Sequence, residues 1–208
     1  AKILYRFREL LEANLEELSA LITREHGKVL ADARGEVMRA IECVEHACSV
    51  PQWLQGPYSA KVASQMDCYS MRQSLGVCVG VTPFNFPVMI STWLAIPAIA
   101  CGNTVIIKPS EKDPSSVLFL AQLLQQAGLP DGVFNVVNGD KDAVEYLIQH
   151  DDVKAVACVG STPVARSIYQ TAIAQGKRAQ AFGSAKNHAI IMPDANLDET
   201  IPALVGAG

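Results

Sequence analysis

Residues 76–87 read Gly76-Val77-Cys78-Val79-Gly80-Val81-Thr82-Pro83-Phe84-Asn85-Phe86-Pro87. The uncharged, Val-rich first part predicts a buried strand over Gly76–Thr82, and the Pro-punctuated remainder predicts a rigid loop, Thr82–Pro87, at its carboxyl end. Val88–Ala100 is mainly apolar and reads as a helix that Pro97 interrupts. One pattern then occurs three times. Thr104–Ile107 leads to a helix from Pro114 to Ala127, Val133–Val137 to one from Asp140 to Gln149, and Val153–Val159 to one from Pro163 to Ala174. Short β-branched runs alternating with helices predict an α/β fold, a Rossmann-like parallel sheet with helices on both faces. Two further strands, near Ala179–Phe182 and Ala189–Met192, would complete it.

Upstream of this core, Leu4, Phe7, Leu11, Leu15, Leu18 and Ile22 recur at helical spacing, and the run ends near Gly27. A second long helix is expected from Val29 to about Leu54, with Val37, Ile41 and Val44 on one face. Tyr58–Met71 carries a weak signal and is expected to be an extended excursion or hairpin arm. The expected organisation is therefore a helical part over 1–57, an arm of the oligomerisation type over 58–74 and a βα core over 75–193, all within one unit, 1–208.

Composition limits the function. Half of the 208 residues are apolar and 18% are charged, which excludes a disordered tail, a small disulfide scaffold and a coiled coil. Lys+Arg 17 against Asp+Glu 21 gives a net charge of −4 with no basic block, so no nucleic-acid partner is expected. The six cysteines, Cys43, Cys48, Cys68, Cys78, Cys101 and Cys158, form no C-x-x-C pair and have no His at zinc-ligand spacing. Neither a metal nor a disulfide framework is expected, and a reducing compartment fits. From Gln73 to Ile107 there is no charged residue, long enough to cross a bilayer by count, but Pro83, Asn85, Pro87, Pro97, Gly102 and Asn103 punctuate it. It reads as strand, loop and short helix in a core, with no membrane partner. No signal peptide is visible and Ala1 already sits in an amphipathic pattern, so the chain is expected to be a piece of a longer one.

In open α/β sheets ligands sit outside the carboxyl ends of the strands. Lys108-Pro109-Ser110-Glu111 places a cation and a carboxylate at one such end, or is a solvated helix start. Gly160-Ser161-Thr162-Pro163 combines a close-approach Gly, two N-cap candidates and a Pro suited to the first turn. Free N–H groups there would face a pyrophosphate, although many helices begin this way with no ligand. The G-x-G-x-x-G fingerprint is absent, which counts against an ordinary Rossmann nucleotide site. Asn85, flanked by aromatics and prolines, offers a rigidly held amide of the kind an oxyanion hole needs, or bonds the backbone beside it. His26, His46, His150 and His188 have no partner at a catalytic spacing.

With Gly102-Asn103-Thr104, the run Gly128–Val137 and Val159-Gly160-Ser161-Thr162, these loops stand in the order and spacing of the aldehyde dehydrogenase superfamily, and the resemblance covers essentially the whole chain. Gly35-Glu36-Val37 with Arg39, and Ala185-Lys186-Asn187-His188, resemble its CoA-acylating branch, the methylmalonate/malonate-semialdehyde dehydrogenases. The resemblance implies a partial aldehyde dehydrogenase fold with NAD as cofactor. Lys108 and Glu111 would contact the adenosine ribose, where a carboxylate disfavours a 2′-phosphate and selects NAD over NADP. Thr82, Phe84 and Lys112 would line the same groove, Ser161 would meet the pyrophosphate, and Gly183 would lie near the nicotinamide end. Asn85 matches the oxyanion donor. Arg39 matches an arginine that meets the substrate carboxylate, its alternative being a surface helix charge.

Two departures carry further implications. Hydrolytic relatives have a Glu as general base in an E-L-G-G-K segment, whereas the matching run here is Phe182-Gly183-Ser184-Ala185-Lys186. Without that base, attack by the thiolate of CoA on the thioester becomes the expected route. The family's nucleophilic cysteine matches no position here and is expected beyond Gly208, with the catalytic domain. The six cysteines present read as small hydrophobes, Cys68 being the most exposed.

The expected function is NAD-dependent oxidation of a (methyl)malonate-type semialdehyde to an acyl-CoA through a cysteine thioester, a reaction of valine catabolism, with the 208-residue chain inactive alone. A hydrolytic aldehyde dehydrogenase and a non-catalytic NAD-binding module are the alternatives. The resemblance further implies a homotetramer in the cytoplasm, or in the mitochondrial matrix of a eukaryote.

Overall fold

A computed structural model describes residues 1–207. It opens with helices α1, Lys2–Ala13, α2, Leu15–His26, and α3, Leu30–Cys48, followed by the short α4, Val50–Trp53. The single first helix expected from the periodicity is thus two. Asn14 Nδ2 donates to the Leu10 carbonyl at 2.7 Å and the residue leaves helical geometry at φ −108°, because a short amide side chain competes with the backbone for the same acceptors. Gly27, at φ 87°, ends α2 in a left-handed cap that L side chains resist. Tyr58–Ala63 (β1) and Met66–Tyr69 (β2) form an antiparallel hairpin with Tyr58 opposite Tyr69, and every residue of both strands is exposed.

The main sheet is wholly parallel. Its strands are β3, Val77–Val81, β4, Thr104–Lys108, β5, Phe134–Val136, β6, Val153–Val159, and β7, Arg178–Phe182, in the order β5-β4-β3-β6-β7. Helices α5, Pro87–Ala100, and α6, Ser115–Gln126, cover one face, and α7, Lys141–Gln149, and α8, Thr162–Ala174, cover the other, as the alternation of strands and helices predicts. Strand alternation divides the side chains. Val105 and Ile107 pack with Ala95 and Val117, whereas Val79, Val81, Val156 and Cys158 pack with Leu147, Ile148 and Ile168. Helices α1 to α3 form an outer layer in which Phe7, Leu11, Leu18, Ile22 and Val37 are buried together with Leu120, Leu123 and Leu124. Each such side chain contributes roughly 1.5–3 kcal/mol when fully buried.

Helix α5 runs through Pro97 without interruption, and it is apolar all round because it lies between the sheet and α3. The uncharged stretch Gln73–Ile107 is accordingly β3, a loop, α5 and most of β4, and no helix among the described residues is long and apolar enough to cross a membrane. The strand expected over Ala189–Met192 does not form. The segment lies exposed, with Ile190 at 89% of its full accessibility, and no described strand lies beside it to complete a hydrogen-bonded ladder. A last helix, α9, spans Leu197–Ala207.

Candidate functional site

The chain crosses from β3 through β4 to β5 on one side, then returns past β3 to place β6 and β7 on the other. That reversal leaves a crevice at the carboxyl ends of β3 and β6, the place where open α/β sheets receive ligands. A cavity of about 590 Å³ occupies it, lined by Thr82, Phe84, Lys108, Glu111, Gly160 and Ser161 among others.

Of the expected residues, Thr82, Phe84, Lys108, Glu111 and Ser161 line this cavity, and Lys112, Gly183, Asn85 and Arg39 do not. Thr82 is buried, and its amide donates to the Lys108 carbonyl at 3.2 Å, which ties the ends of β3 and β4 together. Lys108 is buried as well. Its ammonium donates to the Gly139 carbonyl at 3.2 Å and lies 3.6 Å from a carboxylate oxygen of Glu111, whose side chain is more than half exposed to the cavity mouth. Lys112 is not part of the cavity wall. Its ammonium sits 4.3 Å above the Phe84 ring, a cation–π contact, while His26 stacks on the same residue with centroids 6.1 Å apart.

Ser161 is the N-cap of α8, yet its hydroxyl caps no amide. Of the amides in the first turn, that of Thr162 is taken by Ser184 Oγ at 3.3 Å, and Pro163 has none. The expected row of free N–H groups therefore narrows, among the described residues, to that of Val164 together with the Ser161 hydroxyl. Gly183 is not in the cavity wall. It ends the β7 side of the crevice, where a Cβ would lie 2.9 Å from Thr162 Oγ1 and 3.3 Å from its Cα, so close that only a glycine fits without displacement.

The loop Thr82–Pro87 has two sides. Its first half faces the crevice, and its second half, Asn85 and Phe86, faces another cavity of about 560 Å³ that Arg39, His26, Lys28 and Glu36 also line. The structure thus brings Asn85 and Arg39, 46 positions apart in the chain, to one concavity. The Asn85 amide makes no hydrogen bond to the described residues, so it does not serve the backbone-bonding role that loop asparagines commonly take. Arg39 has only a loose, solvent-exposed partner, Glu42 at 3.8 Å, and its guanidinium is available to another carboxylate.

Sequence reasoning gave no role to Lys28 or Glu36. Glu36 is buried; one oxygen accepts from the amides of Val88 and Met89 at 2.8 and 3.2 Å, and the other from Lys28 Nζ at 2.6 Å. It caps α5 from another helix, because Phe86, at the N-cap, has no acceptor to offer. The signal was present: Glu36 interrupts the buried stripe Ala33, Val37 and Ala40 of α3, and a carboxylate on a buried stripe needs partners. Asp113 is a second buried carboxyl without a role in the motifs. It is buried, neither of its oxygens has a hydrogen-bond partner among the described residues, and burial, aided by Glu25 and Glu36, pushes its carboxyl up to about 7.

Of the cysteines, Cys43, Cys78 and Cys101 are half-buried. Cys48 and Cys158 are buried and Cys68, on the hairpin, is exposed. Burial pushes the thiols of Cys43 and Cys158 up to about 11, which keeps them protonated and unreactive near neutrality.

A parallel sheet with a crevice at its switch point, and a loop dividing that crevice from a second cavity, is the layout of a doubly wound α/β ligand-binding domain. The chain belongs to the aldehyde dehydrogenase family, whose profile matches residues 1–208. It is 56% identical over 207 residues to a malonate-semialdehyde dehydrogenase of Pseudomonas aeruginosa, covering 100% of this chain and 42% of that protein. It is 47% identical over 206 residues to the mitochondrial acylating methylmalonate-semialdehyde/malonate-semialdehyde dehydrogenase of Mus musculus, covering 99% of this chain and 38% of that protein. A provisionally named methylmalonate-semialdehyde dehydrogenase from Sinorhizobium meliloti 1021, solved in complex with NAD, superposes with a TM-score of 0.96 at 50% identity, over 100% of this chain and 42% of that one. The chain thus spans about two fifths of the length of these relatives.

Proposed function

We propose that this chain is the cofactor-binding and substrate-orienting part of a CoA-acylating malonate- or methylmalonate-semialdehyde dehydrogenase. The observation that carries the reading is the double role of one loop: Thr82 and Phe84 line the cofactor crevice while Asn85 shares the neighbouring cavity with Arg39. An aldehyde in that cavity stands next to a cofactor in the crevice.

The crevice fits NAD. The unused Ser161 hydroxyl and the Val164 amide would receive the pyrophosphate, Lys108 and Glu111 the adenosine ribose, with the Glu111 carboxylate repelling the 2′-phosphate of NADP. When bound, NAD accepts the hydride of the oxidation. Phe84, braced by Lys112 and His26, forms a wall of the crevice. Gly183 lets the end of β7 close against α8 beside it.

In the second cavity the Arg39 guanidinium would hold the carboxylate of the semialdehyde, a planar pairing that fixes the orientation of the molecule. As a cysteine thiolate adds to the aldehyde carbon, the Asn85 amide would donate to the oxygen that becomes negative. That cysteine is supplied by the remainder of a full-length enzyme, since the thiols of this chain are held protonated or lie away from the cavity. After oxidation the enzyme is an acyl thioester. Phe182 matches the position of the general base of hydrolytic relatives, so the thiolate of CoA would attack the acyl carbon, the enzyme's cysteine thiolate would leave, and acyl-CoA would be released.

The exposed hairpin of β1 and β2 would serve assembly, in keeping with a homotetramer. The same reading places the enzyme in a bacterial cytoplasm or a mitochondrial matrix. The test is NAD reduction by a full-length enzyme carrying this segment, with malonate semialdehyde as substrate. A strong dependence of turnover on CoA supports the reading; equal rates with and without CoA would replace it with the hydrolytic one.

A further inference from the structure

We infer that Lys28 and Glu36 are positioning residues for the oxyanion donor, acting together as an ion-paired clamp on residues 85–89. The inference rests on the reading of Asn85 given above and adds the device that would hold it in place. Asn85 lies in a loop and is exposed, so nothing in its own side-chain contacts fixes its direction. Its backbone is fixed instead. Lys28 Nζ donates to the Asn85 carbonyl at 2.5 Å and lies 4.4 Å above the ring of Phe86, the next residue. The same ammonium donates to Glu36, whose second oxygen receives the amides of Val88 and Met89. A largely buried lysine and a fully buried glutamate therefore grip both ends of a five-residue stretch.

The clamp is stiff for physical reasons. The side chains of Lys28 and Glu36 are 10% and 0% exposed, so their attraction is little screened by water or salt. The Glu36 carboxylate also stands at the N-terminus of α5, where the helix dipole favours a negative charge. Lys28 follows Gly27, whose left-handed cap turns the chain out of α2 and toward the loop. An oxyanion donor is effective only when its direction is set before the charge develops, and an error of about 1 Å can cost two orders of magnitude in rate.

The experiment uses a full-length enzyme carrying this segment. Steady-state kcat, the KM for malonate semialdehyde and the Kd for NAD are measured for Lys28→Met, Lys28→Arg, Asn85→Ala and the double variant Lys28→Met/Asn85→Ala. Lys28→Met is expected to lower kcat about tenfold while leaving KM and the NAD Kd within about twofold, and Lys28→Arg to recover most of the loss. In the Asn85→Ala background, Lys28→Met should change kcat by less than about twofold, because the donor it positions is already gone. A tenfold loss in both backgrounds would mark a merely structural role and overturn the inference, as would an unchanged kcat for Lys28→Met. An unchanged kcat for Asn85→Ala would locate the failure in the oxyanion reading, and the clamp's role would fall with it. Should Lys28→Met fold poorly because Glu36 is left without a partner, Lys28→Met/Glu36→Gln removes both charges, keeps an acceptor for Val88 and Met89, and is expected to show the same tenfold loss.

Discussion

Gly183 and Thr162 touch so closely that a Cβ on the glycine would lie 2.9 Å from the threonine hydroxyl. The contact seals the end of β7 to the start of α8. Two reciprocal bonds reinforce it, Thr162 N to Ser184 Oγ at 3.3 Å and Ser184 N to Thr162 Oγ1 at 3.1 Å. Gly183→Ala would push Thr162 aside, break this pair and tilt the N-terminus of α8, where Ser161 and the Val164 amide would receive the pyrophosphate on the proposed reading. The expected outcome in a full-length enzyme is a rise of about tenfold in the Kd for NAD, equivalent to about 1.4 kcal/mol, read by isothermal titration, with little change in the KM for the aldehyde. An unaltered NAD affinity would remove the α8 start from the cofactor site.

Arg39 lines the cavity of Asn85 from a helix face and is bound only loosely by Glu42. If it receives the substrate carboxylate, Arg39→Leu deletes a charge-assisted bond worth about 1.5–3 kcal/mol. The KM for malonate semialdehyde should then rise roughly 10- to 100-fold, while that for propanal, which has no carboxylate, stays within about twofold. Parallel steady-state titrations of the two aldehydes decide it, and equal effects on both would return Arg39 to the role of a surface charge.

Asp113 makes stability depend on pH. Its carboxyl is raised to about 7 in the folded protein, first by burial and then by Glu25 and Glu36, with Lys28 opposing and Glu111 adding to the rise. The folded state therefore holds a proton that the unfolded chain releases above about pH 4. Stability from this group is greatest at low pH and is lost as pH climbs to about 7. Asp113→Asn keeps the neutral form at every pH. At about pH 8 the variant should melt higher than its parent, by about 2–4 °C for each kcal/mol gained, and the gap should shrink near pH 5. Melting curves at the two pH values would contradict the argument if the variant melted lower at pH 8.

The legible part of this protein was the part built from local regularity. The βα alternation from Gly76 to Phe182 predicts the parallel sheet, because strands buried on both faces must be continuously apolar and their crossovers must be helical. The same periodicity hid the break at Asn14, where one side-chain amide redirects a carbonyl without disturbing the apolar spacing. It also suggested a strand at Ala189–Met192, since an apolar run records only a capacity to pair. The motifs placed Thr82, Lys108, Glu111 and Ser161 at strand ends, and the fold gathers these into one crevice.

What the sequence by itself determined was the layered sheet, the loops at the strand ends and membership of the aldehyde dehydrogenase family. The tertiary structure decided which of those loops share a cavity and what holds them. Arg39 and Asn85 line one cavity because α3 packs against α5. Glu36 becomes the cap of α5, and Lys28 reaches the Asn85 carbonyl 57 positions away, for the same reason. Such partnerships leave no periodic trace along the chain, since each depends on the direction of single side chains after the apolar faces have joined.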